Sequence, residues 1–213
     1  KAGNALAAAD LDGDGYPDLL VGAYQADAPG SDAGAVLLWP GGASFFQGDA
    51  SLDDALAQFR GSEPIDWTGF SLAAGDMDGD GTAEIAVGAP RADLLSSTGG
   101  LVYLLPGGSY EGSQELEGAA QAIFAGSVAD GKAGYAVAMG DIGQDGNGDL
   151  FVGAPYVGSS LTQTGAVYGF LDASGAQGVY DTTEADIELL GGTAAAHAGQ
   201  SLSVLDANGD DVP

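Results

Sequence analysis

An acidic, glycine-rich cluster recurs four times along this chain at nearly constant intervals, and no other feature narrows the fold so far. The segments are GNALAAADLDGDGYPDLLVGAY from Gly3, GFSLAAGDMDGDGTAEIAVGAP from Gly69, GYAVAMGDIGQDGNGDLFVGAP from Gly134 and GQSLSVLDANGDDVP from Gly199. Their first aspartates, Asp10, Asp76, Asp141 and Asp206, stand 66, 65 and 65 residues apart. Such regularity is the mark of a modular array whose units bury apolar faces against one another. Within each unit, short apolar runs are bounded by Gly, Asp and Pro, which predicts strands. The expected strands are 5–9, 19–23, 35–39 and 56–59 in the first unit, then 71–75, 84–89, 101–105 and 121–124 in the second. The third unit gives 136–140, 150–154, 166–170 and 187–190, and the fourth gives only 201–205. No stretch of 10–12 residues keeps a helical period. Residues 49–59 read as loop then strand in preference to a helical turn.

Four short strands per unit, repeated, predict an all-β fold, a β-propeller of four-stranded blades. The expected units are 1–66, 67–131, 132–196 and a truncated 197–213, all parts of one propeller. Three blades and the start of a fourth do not close a ring of the usual four to eight. The remaining blades are therefore expected from the same chain or from a partner chain. Val212 and Pro213 align with Tyr16 and Pro17, so the sequence reads as an excerpt of a longer protein.

Between strands one and two of each unit lies a nine-residue loop. The first places Asp10, Asp12, Asp14 and Asp18 at positions 1, 3, 5 and 9, with Tyr16 at 7 and glycines at 4 and 6. The second places Asp76, Asp78, Asp80 and Glu84 at the same positions, with Thr82 at 7. Alternate positions of a tightly wound loop point at one centre, and glycine permits the winding. Hard oxygens at that density suit Ca²⁺, which takes 6–8 oxygen ligands; Mg²⁺, with its strict octahedron, suits them less. The expected ligands are the four carboxylates of each loop and the position-7 carbonyls of Tyr16 and Thr82. The third loop keeps Asp141, Asp145 and Asp149, with Asn147 at position 7, but has Gly143 at position 3, so weaker binding is expected. The fourth offers Asp206, Asn208 and Asp210 and lacks its ninth position. An EF-hand does not fit, because its twelfth position falls on Val21, Val87 or Val152. The competing readings are plain Asp-Gly hairpin turns and a generally acidic, halophile-type surface.

Charge excludes other classes. With 31 acidic and 4 basic side chains the net charge is −27. Lys1, Arg60, Arg91 and Lys132 cannot make the basic footprint that nucleic acid requires, and an anionic membrane surface repels such a chain. No apolar run approaches the about 20 residues needed to span a bilayer, so no direct membrane insertion is expected in this segment. The absence of cysteine removes disulfides, thiolate metal sites and a cysteine nucleophile.

These residues resemble the FG-GAP repeats of the integrin α-subunit propeller and its bacterial relatives. The pieces that match are Gly69-Phe70-Ser71, the DxDGDG loops, VGAP at 87–90 and 152–155, GAVY at 165–168 and a looser GLVY at 100–103. VGAY at 21–24 departs at the proline. The resemblance spans essentially the whole chain. It implies a seven-bladed propeller of which about three blades are present, with calcium loops bracing one rim and partner contacts on the opposite face.

The functional expectation is a calcium-stabilised, non-catalytic recognition or adhesion scaffold, extracellular, secreted, at the cell surface or periplasmic. A protein or glycan partner would be met through the inter-strand loops 25–33, 41–54, 91–99, 106–119, 156–164 and 172–185. The alternatives are a glycan-binding or hydrolase-associated propeller and a structural subunit of a surface fibre or sheath. Catalysis has little to build on. His197, the sole imidazole, aligns with Lys132 and reads as an ordinary exposed residue, and Trp39 and Trp67 read as core or edge packing.

Overall fold

A computed structural model describes residues 2–27, 30–42, 51–158 and 162–205. It contains fourteen strands among the described residues: β1 (Leu6–Ala9), β2 (Asp18–Gly22), β3 (Ala35–Trp39), β4 (Ala57–Arg60), β5 (Ser71–Gly75), β6 (Glu84–Ala89), β7 (Leu101–Leu105), β8 (Gly112–Glu115), β9 (Ala122–Ala125), β10 (Ala136–Gly140), β11 (Asp149–Ala154), β12 (Ala166–Phe170), β13 (Gly178–Asp181) and β14 (Ile187–Leu190). Among the described residues, helix is confined to single turns at Leu52–Asp54, Leu116–Ala119, Ala173–Gly175 and Thr182–Glu184. Residues 49 and 50 lie outside the described set. Of 51–59, one helical turn precedes the expected strand.

The strands make three sheets, in the orders β1-β2-β3-β4-β8, β5-β6-β7-β9-β13 and β10-β11-β12-β14. Four strands of each run antiparallel, and the register repeats from sheet to sheet: Leu6 faces Val21, Leu72 faces Val87, and Val137 faces Val152. These are propeller-type blades. Residues 201–205 form no strand. Their equivalents β1, β5 and β10 are held by pairing with the strand beyond the acidic loop, and no such strand follows among the described residues.

A different departure concerns 106–119 and 172–185, expected as free connections. Each contains a strand, β8 or β13, that leaves its own blade and pairs parallel with the outer strand of the preceding one, β4 or β9. The blades are thus sewn together at their outer edges.

Packing follows from which faces are covered. In the middle blade, β6 and β7 are buried at every residue, which explains their uninterrupted apolar sequence. Ile85, Val87, Tyr103 and Leu105 pack with Leu20, Val36, Phe59 and Leu116 between blades one and two. Ala86, Val102, Leu104 and Phe124 pack with Leu150, Val152, Tyr168 and Phe170 between blades two and three. Near the inner strands the blades touch main chain to main chain. A Cβ at Gly22, Gly88 or Gly153 would lie 2.1, 2.2 or 2.1 Å from the carbonyl oxygen of Gly69, Gly134 or Gly199. The glycine of each VGA motif and the glycine that opens the next repeat are therefore one contact, seen from two sides.

Candidate metal centre

The acidic loops join β1 to β2, β5 to β6 and β10 to β11. Their winding is set by side chains bonding main-chain N–H groups, as Asp does in turns. Asp10 does most of this. Its Oδ1 accepts from Gly13 N–H at 2.8 Å and Asp14 N–H at 3.2 Å, and its Oδ2 from Gly15 N–H at 2.8 Å. Asp76 repeats the arrangement with Gly79 and Gly81, at 2.7 and 3.1 Å. Gly13 and Gly15 have φ of 76° and 88°, a region that side chains disfavour. Asp12 and Asp78 accept from Asp14 and Asp80 N–H at 3.2 and 3.1 Å.

Position 9 sits at the base of the loop and is buried, Asp18, Glu84 and Asp149 being 4%, 4% and 3% exposed. Its two oxygens divide their bonds. Asp18 Oδ2 accepts from Leu11 N–H at 2.9 Å, and Oδ1 from Gly41 N–H at 2.6 Å. Glu84 takes Met77 and Gly107 N–H at 2.9 and 3.2 Å, and Asp149 takes Ile142 and Asp172 N–H at 2.9 and 3.1 Å. Each position-9 acid thus pins its loop to the connection that follows the third strand. Burial pushes the Asp18 and Glu84 carboxyls up, against the pull of those N–H donors and with help from the neighbouring loop acids.

One oxygen from each of Asp10, Asp12 and Asp18 lies within 4.8 Å of the others, and the same holds for Asp76, Asp78 and Glu84. Positions 1, 3 and 9 therefore converge. Position 5 does not join them. Asp14 Oδ1 accepts from Tyr16 N–H, and Asp80 Oδ1 from both Thr82 N–H at 2.8 Å and Thr82 Oγ1–H at 2.6 Å. Those Thr82 bonds, the hydroxyl's first, hold Asp80 below the usual carboxylate range. The donor set is all oxygen, and its spacing matches oxygens placed about 2.3–2.6 Å around one cation. The residues fit Ca²⁺.

The third loop is built on Asp141, which accepts from Asp145 and Gly146 N–H at 3.3 and 2.9 Å. Asp145 in turn accepts from Asn147 N–H at 2.9 Å. A residue that sequence reasoning missed stands beside it. Asp172 aligns with Gly41 and Gly107, and its carboxyl faces the side chains of Asp145 and Asn147; the negative charge of Asp145 pushes it up. Only alignment of the third-strand connections, and not of the loops, signals it. Asp206, Asn208 and Asp210 lie outside the described residues.

Successive loops also touch. Ala83 N–H donates to Asp10 O at 2.8 Å, and Gly148 N–H to Met77 O at 2.6 Å. Away from the loops runs a chain of ring contacts: Tyr24 and Trp67 each pack on Phe70, Phe70 on Tyr135, Tyr135 on Tyr156, and Tyr156 on His197. His197 departs from the expected exposed residue. It is half-buried, with Nδ1 3.0 Å from Pro155 O. Trp39 is buried, as expected of core, and Trp67 carries the Arg91 guanidinium 4.7 Å above its ring.

The family model described as FG-GAP repeat matches residues 2–39, 68–105 and 133–170. Phosphatidylinositol-glycan-specific phospholipase D of Bos taurus is 31% identical over 180 residues, 82% of this chain and 21% of that protein. Integrin alpha-IIb of Homo sapiens is 36% identical over 113 residues, 49% of this chain and 10% of that protein. Integrin alpha-PS2 of Drosophila melanogaster is 31% identical over 142 residues, 53% of this chain and 10% of that protein. The chain thus spans about a fifth or less of the length of these relatives. No helix among the described residues is long and apolar enough to cross a membrane. With three matches on the three blades, together more than half of its residues, the chain belongs to the FG-GAP repeat family.

Proposed function

We propose that these blades form part of a seven-bladed, calcium-braced propeller that serves as a non-catalytic recognition or adhesion scaffold outside the cytoplasm, meeting a protein or glycan through its loops. The observation that carries the calcium reading is the convergence of positions 1, 3 and 9 in two loops 66 residues apart. Asp10, Asp12 and Asp18 would hold one ion, and Asp76, Asp78 and Glu84 a second. The carbonyls of Tyr16 and Thr82 would add to the two shells, and Asp14 and Asp80 would join them only by turning from their bonds to position 7. At the third loop Asp172 would stand in for the missing position-3 carboxylate, beside Asp141, Asp145, Asn147 and Asp149.

A bound divalent ion supplies positive charge where three or four carboxylates repel one another. Like charges about 4 Å apart repel by about 1 kcal/mol in water and about 4 kcal/mol at an effective dielectric of 20. At about 1 mM calcium and a dissociation constant of about 10⁻⁴ M, each site adds about 1.4 kcal/mol. Similarity to integrin alpha subunits supports the scaffold reading.

The test is a pair of thermal melts, with 1 mM calcium and with chelator, alongside calorimetric titration. Calcium should raise the midpoint by about 5–10 °C. Asp12→Ala should abolish one tight site, and Asp141→Ala should cost less binding. Superimposable melts would remove calcium from the proposal, and equal losses from the two variants would refute the ranking of the loops.

A further inference from the structure

The two connections that carry the donated strands, residues 106–121 and 171–186, differ in what fills the space beneath them. They begin alike. Pro106 and Leu171 follow the third strands β7 and β12, and Gly112 and Gly178 open the donated strands β8 and β13. In the first connection the space holds Tyr110, two residues before that glycine. Its ring meets Phe59 of β4 edge-on at 4.9 Å, and its hydroxyl donates to Pro106 O. A further blade is present beyond this connection, and the space is still filled from within, by Tyr110.

Counting back from Gly178 puts Ala176 where Tyr110 stands. Phe124 takes the place of Phe59, facing Tyr180 in register as Phe59 faces Gln114, and Leu171 takes the place of Pro106. Phe124 and Leu171 thus correspond to the two groups that Tyr110 bridges, and both line a cavity of about 440 Å³, together with Ala173 and Ala176. That volume falls within the about 300–1,000 Å³ of ligand-binding clefts. Two more rings wall it: Phe170 lies tilted against Phe124 at 4.6 Å, and Tyr180 stacks on Phe124 at 5.2 Å. A second change accompanies the lost tyrosine. Gly118 and Gln121 of the first connection give way to Glu184 and Asp186, both exposed and both lining the cavity. Glu184 accepts from Asp181 N–H at 2.7 Å through one oxygen, and Asp186 from Leu171 N–H at 2.9 Å through one of its own. No basic side chain lines the cavity among the described residues.

We infer that this cavity binds the tyrosine side chain of a partner protein, at a position flanked by lysine or arginine. The ring enters among Phe124, Phe170 and Tyr180, in the edge-on or offset contacts that aromatic pairs prefer. Its hydroxyl donates to Leu171 O, as Tyr110 donates to Pro106 O, and the flanking cation pairs with Glu184 and Asp186. An acidic flank would meet those two carboxylates on a chain of net charge −27. The walls come from blades two and three alone, and none of the groups invoked is a calcium ligand proposed above.

The probe is the peptide acetyl-Lys-Tyr-Lys-amide, titrated calorimetrically into the whole chain with calcium held constant. Ala176→Tyr supplies the missing ring from within; it should keep the melting midpoint at or above wild type and weaken peptide binding about tenfold or more. Acetyl-Lys-Phe-Lys-amide should bind wild type about fivefold more weakly, for want of the hydroxyl. Glu184→Gln with Asp186→Asn keeps both acceptors and removes the charges, so it should weaken binding about fivefold at low salt and little at high salt. Unchanged affinity in Ala176→Tyr would overturn the inference. Should that variant melt early, equal affinity of wild type for the Tyr and Phe peptides overturns it instead. Tyramine binding as tightly as the peptide would also do so, because the site would then take a free phenolic amine. None of these outcomes alters the calcium melts, so the two proposals fail separately.

Discussion

The contact between blades one and two and the contact between blades two and three share a frame and differ in their lining. In the second, Tyr168 faces the Thr182 side chain, whose Oγ1 lies 2.9 Å from Ser127 Oγ. Val128, Gly131 and Val157 close the space so that no water fits. In the first, the tyrosine is Tyr103, the Thr182 position is taken by Leu116, and Val128 and Gly131 are replaced by Glu63 and Asp66. A cavity of about 130 Å³ remains, lined also by Asp93 and Glu117. Burial pushes Asp66 up to about 6, and the charges of Asp93 and Glu63 push the same way. The lesson is that main-chain contacts and large apolar residues set the blade-to-blade geometry, while small changes at its edge decide whether an interface is sealed or electrostatically loaded.

The largest effects should be those that the two interfaces share. Phe59→Ala and Phe124→Ala each empty a core position and should cost about 3–5 kcal/mol in urea unfolding. A large inequality would break the claim of a common frame. Gly88→Ala and Gly153→Ala drive a methyl into a carbonyl oxygen and should each cost about 2–3 kcal/mol by the same measurement. If either were neutral, that contact would not set the spacing.

The pH response should tell the interfaces apart. Asp66 has a folded pKa above its ordinary 3.8, so the folded chain binds this proton more tightly than the unfolded chain. Its contribution is present in full below about pH 4 and is lost as pH rises through about 6. Melts of Asp66→Asn should therefore match wild type at pH 4 and exceed it at pH 7.5. A parallel offset across that range would refute the assignment. The smallest effect sharpens the same contrast. Tyr168→Phe removes the hydroxyl that faces the Thr182–Ser127 pair and should cost about 1 kcal/mol, whereas Tyr103→Phe removes a hydroxyl that faces acids and should be near neutral or stabilising.

The strands of the three blades were legible because two-sided burial writes apolar runs such as EIAVGA and LVYLL into the sequence. The donated strands were not. Gly112–Glu115 and Gly178–Asp181 carry little apolar signal, and they are extended because the neighbouring blade offers an edge to pair with. Spacing also disclosed the loop acids, but not how they divide the work. Position 5 turns to bond the position-7 N–H, and position 9 is engaged as much with Gly41, Gly107 or Asp172 as with its own loop. Such partners lie 23 residues away in the chain, beyond the reach of local pattern.

The glycine-to-glycine abutment at residues 22 and 69, 88 and 134, and 153 and 199 has one more consequence. Where backbone meets backbone the pitch is blind to side-chain identity, so each unit can revise its rims without altering the wedge it occupies, as long as the large apolar residues between blades are kept. Whole units become interchangeable parts: splicing one out or duplicating it keeps the step to its neighbours, provided that both halves of that glycine seam travel with it.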